Sequence, residues 1–155
     1  MELQFNGNYS DNDDSSTIAS EILNIVENYE SSLIDGQTSK TIMNDIIQCL
    51  QEHEISNIEK ISNQLKNYIF VDEIHNIHKG RHIRWIRLSN EKKTLTLGGL
   101  IMDVKFTNNG VNILCKDMRN RFIQFKFDEC LTFQRLSYQE LVILMANESI
   151  NYDSS

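Results

Sequence analysis

Six residues able to hold an anion or stack on a ring crowd into nine positions: Lys79, Arg81, His82, Arg84, Trp85 and Arg87. A second group, Arg119, Arg121, Phe122, Gln124 and Lys126, follows some thirty positions later. Cations of this kind hold phosphates, and an exposed aromatic ring stacks on a base. Phe122 is the first choice for the stacking ring, because strand alternation puts it on one face with Gln124 and Lys126. A nucleic-acid interface would then draw on Lys79, Arg81, Arg84, Trp85, Arg87, Arg119, Arg121, Phe122 and Lys126. The competing expectation, which the sequence favours, packs Phe122 under the last helix and pairs the arginines with acidic helices. NRFIQFKF has the look of the RNP1 strand of RNA-recognition motifs, but it lacks that motif's glycines and the order of elements around it is wrong.

Two other sets carry chemistry on paper. His75, His78 and His82 lie near Asp72 and Glu73, and imidazoles with carboxylates suit zinc. Lys79-Gly80 interrupts any helix that would align them, so the expectation is polar histidines and no metal or other cofactor. Cys115 or Cys130 would serve as a nucleophile if the fold brought either to His82. Cys115 belongs to the inward side of its strand, where a thiol is ordinarily inert packing. The three cysteines, Cys49, Cys115 and Cys130, form no CxxC pair. With no phosphate loop and no nucleophile elbow in the chain, the expectation is a protein that is not an enzyme.

The elements that must position these residues fall into two halves of opposite charge. Residues 1–75 carry 3 Lys/Arg against 14 Asp/Glu, and residues 76–155 carry 12 against 8, within a net charge of −7. With 155 residues, 40% hydrophobic and 24% charged, the chain can bury a real core. Residues 1–15 are polar and expected to be disordered, with Leu3 and Phe5 as the only groups able to dock. Three amphipathic helices are expected next, across residues 16–71. The first spans Thr17 to Leu33, capped by Ser15 or Ser16, with Ile18, Ile22, Ile25, Val26, Tyr29 and Leu33 on one face. The second spans Lys40 to His53 behind Thr38 or Ser39. The third spans Asn57 to Phe70 behind the capping pair Ser56 and Glu59.

Residues 72–80 read as a hinge. Residues 81–147 read as a five-stranded antiparallel unit ending in a short helix. Its strands are expected at Arg81–Leu88, Leu95–Thr107, Val111–Lys116, Arg121–Asp128 and Leu131–Leu136. Leu100, Met102, Val104 and Phe106 alternate with Gly99, Ile101, Asp103 and Lys105, and Gly98-Gly99 permits a sharp bend. Asn108-Asn109-Gly110 suits a hairpin turn. Ser137 and Glu140 cap a helix over Tyr138–Asn147, and residues 148–155 are expected to fray. The fold class that follows is α+β: about three N-terminal helices, then a small five-stranded barrel or meander, SH3-like or OB-like, and a short C-terminal helix.

The stretches KGRHIRWIRL, LTLGGLIMDVKF, ILCK and RFIQFKFDECLTFQRLSYQE resemble small uncharacterised proteins of large DNA viruses of protists. The resemblance covers Lys79 to Met145, and the Asn- and Ile-rich composition agrees with it. It implies a protein made inside an infected cell, in a viral factory or a virion, and it transfers no active site. No stretch has the pattern of a secretory signal or a membrane span, so an intracellular location is expected. The expectation for function is a non-catalytic binding or scaffold module whose partner is another protein or a second copy. Nucleic acid is the alternative, a cysteine enzyme the third reading, and no membrane is involved.

Overall fold

A computed structural model describes residues 11–27 and 33–153. Among the described residues four α-helices and six strands follow one another as α1 (Asp11–Glu27), α2 (Ser39–Glu52), α3 (Ile58–Gln64), β1 (Tyr68–Val71), β2 (His82–Arg87), β3 (Gly99–Thr107), β4 (Gly110–Lys116), β5 (Phe122–Lys126), β6 (Cys130–Arg135) and α4 (Tyr138–Asp153). The strands make one antiparallel sheet in the order β1-β6-β2-β3-β4-β5. The fold is therefore α+β, with an open sheet of six strands rather than five.

The extra strand is β1, which the helical spacing of Ile61, Leu65, Tyr68 and Ile69 disguises as the end of a longer third helix. Asn67, at φ +67°, breaks the helix. The run Tyr68-Ile69-Phe70-Val71 then pairs with β6 from Tyr68↔Arg135 to Val71↔Thr132. Aromatic and β-branched residues fit that pleated, half-buried environment better than a helix. The third helix also starts differently from expectation. Its N-cap is Asn57, in left-handed geometry and without a side-chain cap bond, so Ser56 and Glu59 do not act as a capping pair.

The other caps follow the residue types. Thr38 caps α2: its hydroxyl accepts the Thr41 N–H at 3.2 Å, and the Thr41 hydroxyl accepts the Thr38 N–H at 2.8 Å. Ser137 and Glu140 make the same reciprocal pair at α4, at 3.1 and 2.9 Å. That helix continues through Asp153 instead of stopping near Asn147. No Gly or Pro stops it. Asn147 donates to the Gln37 carbonyl at 2.9 Å, and Glu148 accepts the Ser39 N–H at 3.1 Å, which ties it to the start of α2.

Helix α1 packs against α4 and covers Asp11–Glu27, so Ser15 and Ser16 sit inside it and do not cap it. Ile18 and Ile22 are exposed rather than core-facing, and Ile25 touches the core. The expectations for residues 1–10, including Leu3 and Phe5, and for Tyr29 lie outside the described residues. Residues 72–80 are tied to the sheet toward their C-terminal end. His78 N–H donates to Gln134 at 2.7 Å, and Gly80 N–H to the Ile101 carbonyl at 2.8 Å.

The sheet curls. Ile83 and Trp85 of β2 share a face with Thr132 and Gln134 of β6, by register. Ile101, Cys115 and Ile123 continue that face across β3, β4 and β5, as do Ile113 and Phe125. Although β3 and β4 lie between them, Trp85 and Phe125 stack with centroids 4.1 Å apart and planes 15° apart. Only a strongly bent sheet allows that contact. Two devices supply the bend. A bulge between Ile101 and Asp103 adds Met102 to β3. Gly98, at φ +75°, immediately precedes β3, at a point where a Cβ would fall 1.9 Å from the Ile83 carbonyl oxygen.

The bulge also corrects the alternation expected for β3. Ile101 is the buried residue, while Leu100 and Met102 are exposed. On the opposite face, Tyr68, Phe70, Phe133, Ile86 and Arg84 line up. Helix α3 lies on this side, since the Arg84 guanidinium donates to the Gln64 carbonyl at its end. Strand β6 is therefore buried on both faces, and it carries the core.

Candidate functional site

The nine residues of the basic-aromatic set do not form one surface. Five of its seven cations are engaged by neighbours within the protein, Arg121 by its own turn and four others elsewhere. Arg81 pairs with Glu140, a buried carboxylate that also caps α4. Arg84 donates to the Thr96 carbonyl at 2.8 Å and to Gln64. Lys79 reaches Asp103 at 3.3 Å, and Lys126 reaches Glu129 at 3.7 Å. The Lys79 bond and the Val104 N–H hold the Asp103 carboxyl below its usual range. These pairs are short-range internal ties, and the two involving exposed lysines are weak.

The two rings part company as well. Trp85 is 1% exposed and stacked on Phe125, so it lies inside the curl. Phe122 is 63% exposed on the outer face, in cross-strand register with Lys116 and, one strand further, Leu100. The Lys116 ammonium sits 5.9 Å from its centroid. Phe122 does not pack under the last helix.

Three arginines remain at one end of the curl. There the β2–β3 loop and the β4–β5 turn, far apart in sequence, enclose a cleft of about 730 Å³. Trp85 and Ile123 contribute to its lining, Leu97 and Met118 stand at its mouth, and Arg87, Arg119 and Arg121 bring the charge. Leu97 is 86% exposed and Met118 is 97% exposed. The Thr96 hydroxyl accepts the Trp85 backbone N–H at 3.1 Å and the Thr96 N–H donates to the Trp85 carbonyl at 3.0 Å, which fixes the loop to β2.

The turn is built around Asp117. One carboxylate oxygen accepts the N–H groups of Arg119 and Arg121, each at 2.9 Å; the other takes Arg121 Nε at 3.0 Å. The Arg121 N–H, then the Arg119 N–H and the Arg121 side chain, depress the Asp117 pKa. The one acid in the cleft is thus spent on its own turn. Among the described residues, Arg87 and Arg119 make no ion pair. The Trp85 indole N–H and the hydroxyl of Thr132, its cross-strand neighbour, are buried without a hydrogen-bond partner.

Sequence reasoning found the arginines and Trp85 but missed Thr96, Leu97, Met118 and Ile123. The available signal was apolar residues inside turn stretches: Met118 in Asp117–Asn120, and Leu97 just before Gly98-Gly99. Nothing local buries a side chain there.

The histidines and thiols are set apart from this cleft. His75 contacts Glu73 at 3.2 Å on the surface, while His82 Nδ1 lies 2.8 Å from the Tyr68 hydroxyl. Burial, then Arg84 and Arg135, lowers the His82 pKa. Among the described residues no three His, Cys, Asp or Glu side chains are grouped to hold a metal ion. Register puts His82 on the face of Leu100, opposite to Cys115, and opposite to Cys130 as well. Burial pushes the Cys115 thiol up to about 12 and, with Glu52 and Asp72 nearby, Cys49 to about 12. Cys130 rises to about 11, chiefly by burial. A thiol nucleophile needs the opposite shift. No helix among the described residues is long and apolar enough to cross a membrane. No family model matches the chain, and neither a curated protein nor a solved structure matches it.

Proposed function

We propose that the protein is a non-catalytic binding module that docks another protein in the cleft between the β2–β3 loop and the β4–β5 turn. The observation that carries this reading is the pair Leu97 and Met118, apolar side chains left almost fully in water at the mouth of a cavity. Covering such groups is worth about 25 cal/mol per Å², which supplies a driving force for a partner. Strands β2 to β6 act as the presenting unit, a small SH3-like barrel left open: four antiparallel strands in succession, a 3₁₀ turn at Phe127–Glu129, and a last strand returning to pair with the first. If the partner is met where the resemblance implies, it belongs to a viral factory or a virion.

Nucleic acid is the second reading, favoured by the arginines at the cleft and by exposed Phe122. It is weakened because the two rings lie on opposite faces of the sheet, so one strand of bases cannot stack on both. Selection of a displayed random-peptide library and of a random single-stranded RNA pool against the full chain separates the two. Peptides should enrich, and their binding should be lost when Met118 becomes Glu. Enrichment of the RNA pool alone, with affinity falling steeply as salt rises, overturns the reading. For the cysteine-enzyme alternative, Cys115 and Cys130 should label with iodoacetamide more slowly than an unfolded control peptide.

A further inference from the structure

We infer that the cleft recognises an acidic peptide segment built around one apolar anchor residue. This rests on the reading of the protein as a protein-binding module and specifies the chemistry of the partner. Charge comes first. Three arginines face one aspartate, and that aspartate already accepts two backbone N–H groups and an Arg121 N–H. The chain as a whole carries −7, so this end of the sheet is a local exception in sign. Arg87 and Arg119 are exposed, belong to different elements and have no internal carboxylate among the described residues. Guanidinium forks bind carboxylates in paired hydrogen bonds, which favours Glu or Asp side chains on the ligand.

The apolar component selects the anchor. The free surface at the mouth is aliphatic, Leu97 and Met118, with Ile123 further in. Methionine adapts its shape to what it covers. A nucleobase would want an open ring face. Trp85, the only ring in the lining, already has one face stacked on Phe125 and is 1% exposed. A Leu, Ile, Met or Phe side chain asks only for contact. At about 730 Å³ the cleft is in the size range of ligand pockets, large enough for an anchor with its flanking residues.

Trp85 is the only tryptophan in the chain, so its emission reports directly on occupancy of the cleft. The experiment titrates the full chain with a pool of fluorescein-labelled synthetic peptides in which Glu and Gly surround a central Leu, Ile, Met or Phe. Anisotropy and Trp85 emission are followed together. The expected result is binding that shifts Trp85 emission and weakens about tenfold when Gln replaces Glu, or when Gly replaces the anchor. The double variant Arg87→Ala/Arg119→Ala should bind the acidic pool about tenfold more weakly while melting as the parent does, because both side chains are exposed. If the Gln peptides bind as well as the Glu peptides and the double variant is unaffected, the acidic recognition is overturned while the module reading stands. If no peptide moves Trp85 emission and a single-stranded oligo-dT does, both are overturned. Failure of every acidic peptide to move either signal overturns the inference alone when neutral peptides bind.

Discussion

The two faces of the sheet across β3, β4 and β5 are made from alternate residues of the same strands, yet they behave as different materials. The inner face, with Ile101, Ile113, Cys115 and Phe125, is closed to water and reaches Trp85 on β2. The outer face leaves Leu100, Met102 and Phe122 in solvent beside Lys105, Lys116 and Lys126. One residue of register separates an aromatic ring that holds the fold from one that holds nothing in place. Hydrophobicity alone therefore says little about what a side chain does here. Only the curl, which gathers one face and spreads the other, decides it. The arginines of β2 and its approach divide by partner instead: Arg81 and Arg84 are held by Glu140 and by the Thr96 and Gln64 carbonyls, whereas Arg87 makes no ion pair among the described residues.

The sharpest way to break the inner face is Phe125→Ala. The ring is buried and stacked on Trp85, and its loss opens a cavity where β5 meets β2. A cost of about 3–5 kcal/mol is expected by chemical denaturation, with a change in Trp85 emission before the main transition. An unchanged midpoint would mean that the curl is not held by this stack.

Gly98→Ala attacks the geometry that makes the two faces differ. The added Cβ would fall 1.9 Å from the Ile83 carbonyl oxygen, and φ at +75° is unfavourable for Ala. Backbone cannot yield as a side-chain tip can, so a loss of about 2–4 kcal/mol is expected in the same assay. Gly110→Ala is a useful comparison: it shares the positive φ, at +116°, but the atom its Cβ would meet, at 2.8 Å, is the Asp128 carboxylate, the end of an exposed side chain, and not backbone. It should cost less than Gly98→Ala.

Much of this contrast was legible in the chain. Strand alternation alone put Cys115 on the inward side of its strand and Phe122 on one face with Gln124 and Lys126, because a period of two needs no tertiary information. The favoured expectation that this face packs under the last helix at Phe122 failed, since the ring is exposed. Thr38, Ser137 and Glu140 revealed their caps, since capping is settled within four residues. Local reading also failed at Ser56 and Glu59, where Asn57 is the N-cap of α3; the failures in the sheet and the cleft depend on long-range contact. β1 keeps helical spacing, and only its pairing with β6, more than sixty positions away, makes it a strand. The bulge at Met102 reverses the faces of β3 without any mark in residue type. The cleft joins a loop and a turn about twenty positions apart, so its arginines were visible as charge but not as a site.

A smaller effect comes from pH. His82 stands on the outer face, where β1 and β2 are covered, and burial lowers its pKa below the unfolded value of 6.5. Between those two values the unfolded chain binds a proton that the folded chain refuses. Stability should therefore be complete above about pH 6.5 and decline as pH falls below it, levelling off at the folded pKa. The thermal midpoint followed from pH 7.5 to 5 should fall, and His82→Gln should flatten that fall. Asp103 and Asp117, whose pKa values are depressed, add a separate loss that begins only below about pH 4. A fall that survives His82→Gln unchanged would assign the acid sensitivity to another group.

The smallest effect on stability is expected at the outer ring. Phe122→Ser removes an aromatic side chain as large as Phe125 from the same strand, three residues away. It is 63% exposed, so little apolar area returns to water in the mutant, and the Lys116 contact at 5.9 Å is a surface cation–π pair. Such a pair is worth about 0.5–1 kcal/mol, so the midpoint should move by no more than that. Binding of the acidic peptides should also be unchanged, because Phe122 faces away from the cleft. A loss of several kcal/mol would show that the outer face is packed in solution, by a second copy or by another segment. The difference between the two faces would then lie in their partners and not in their exposure.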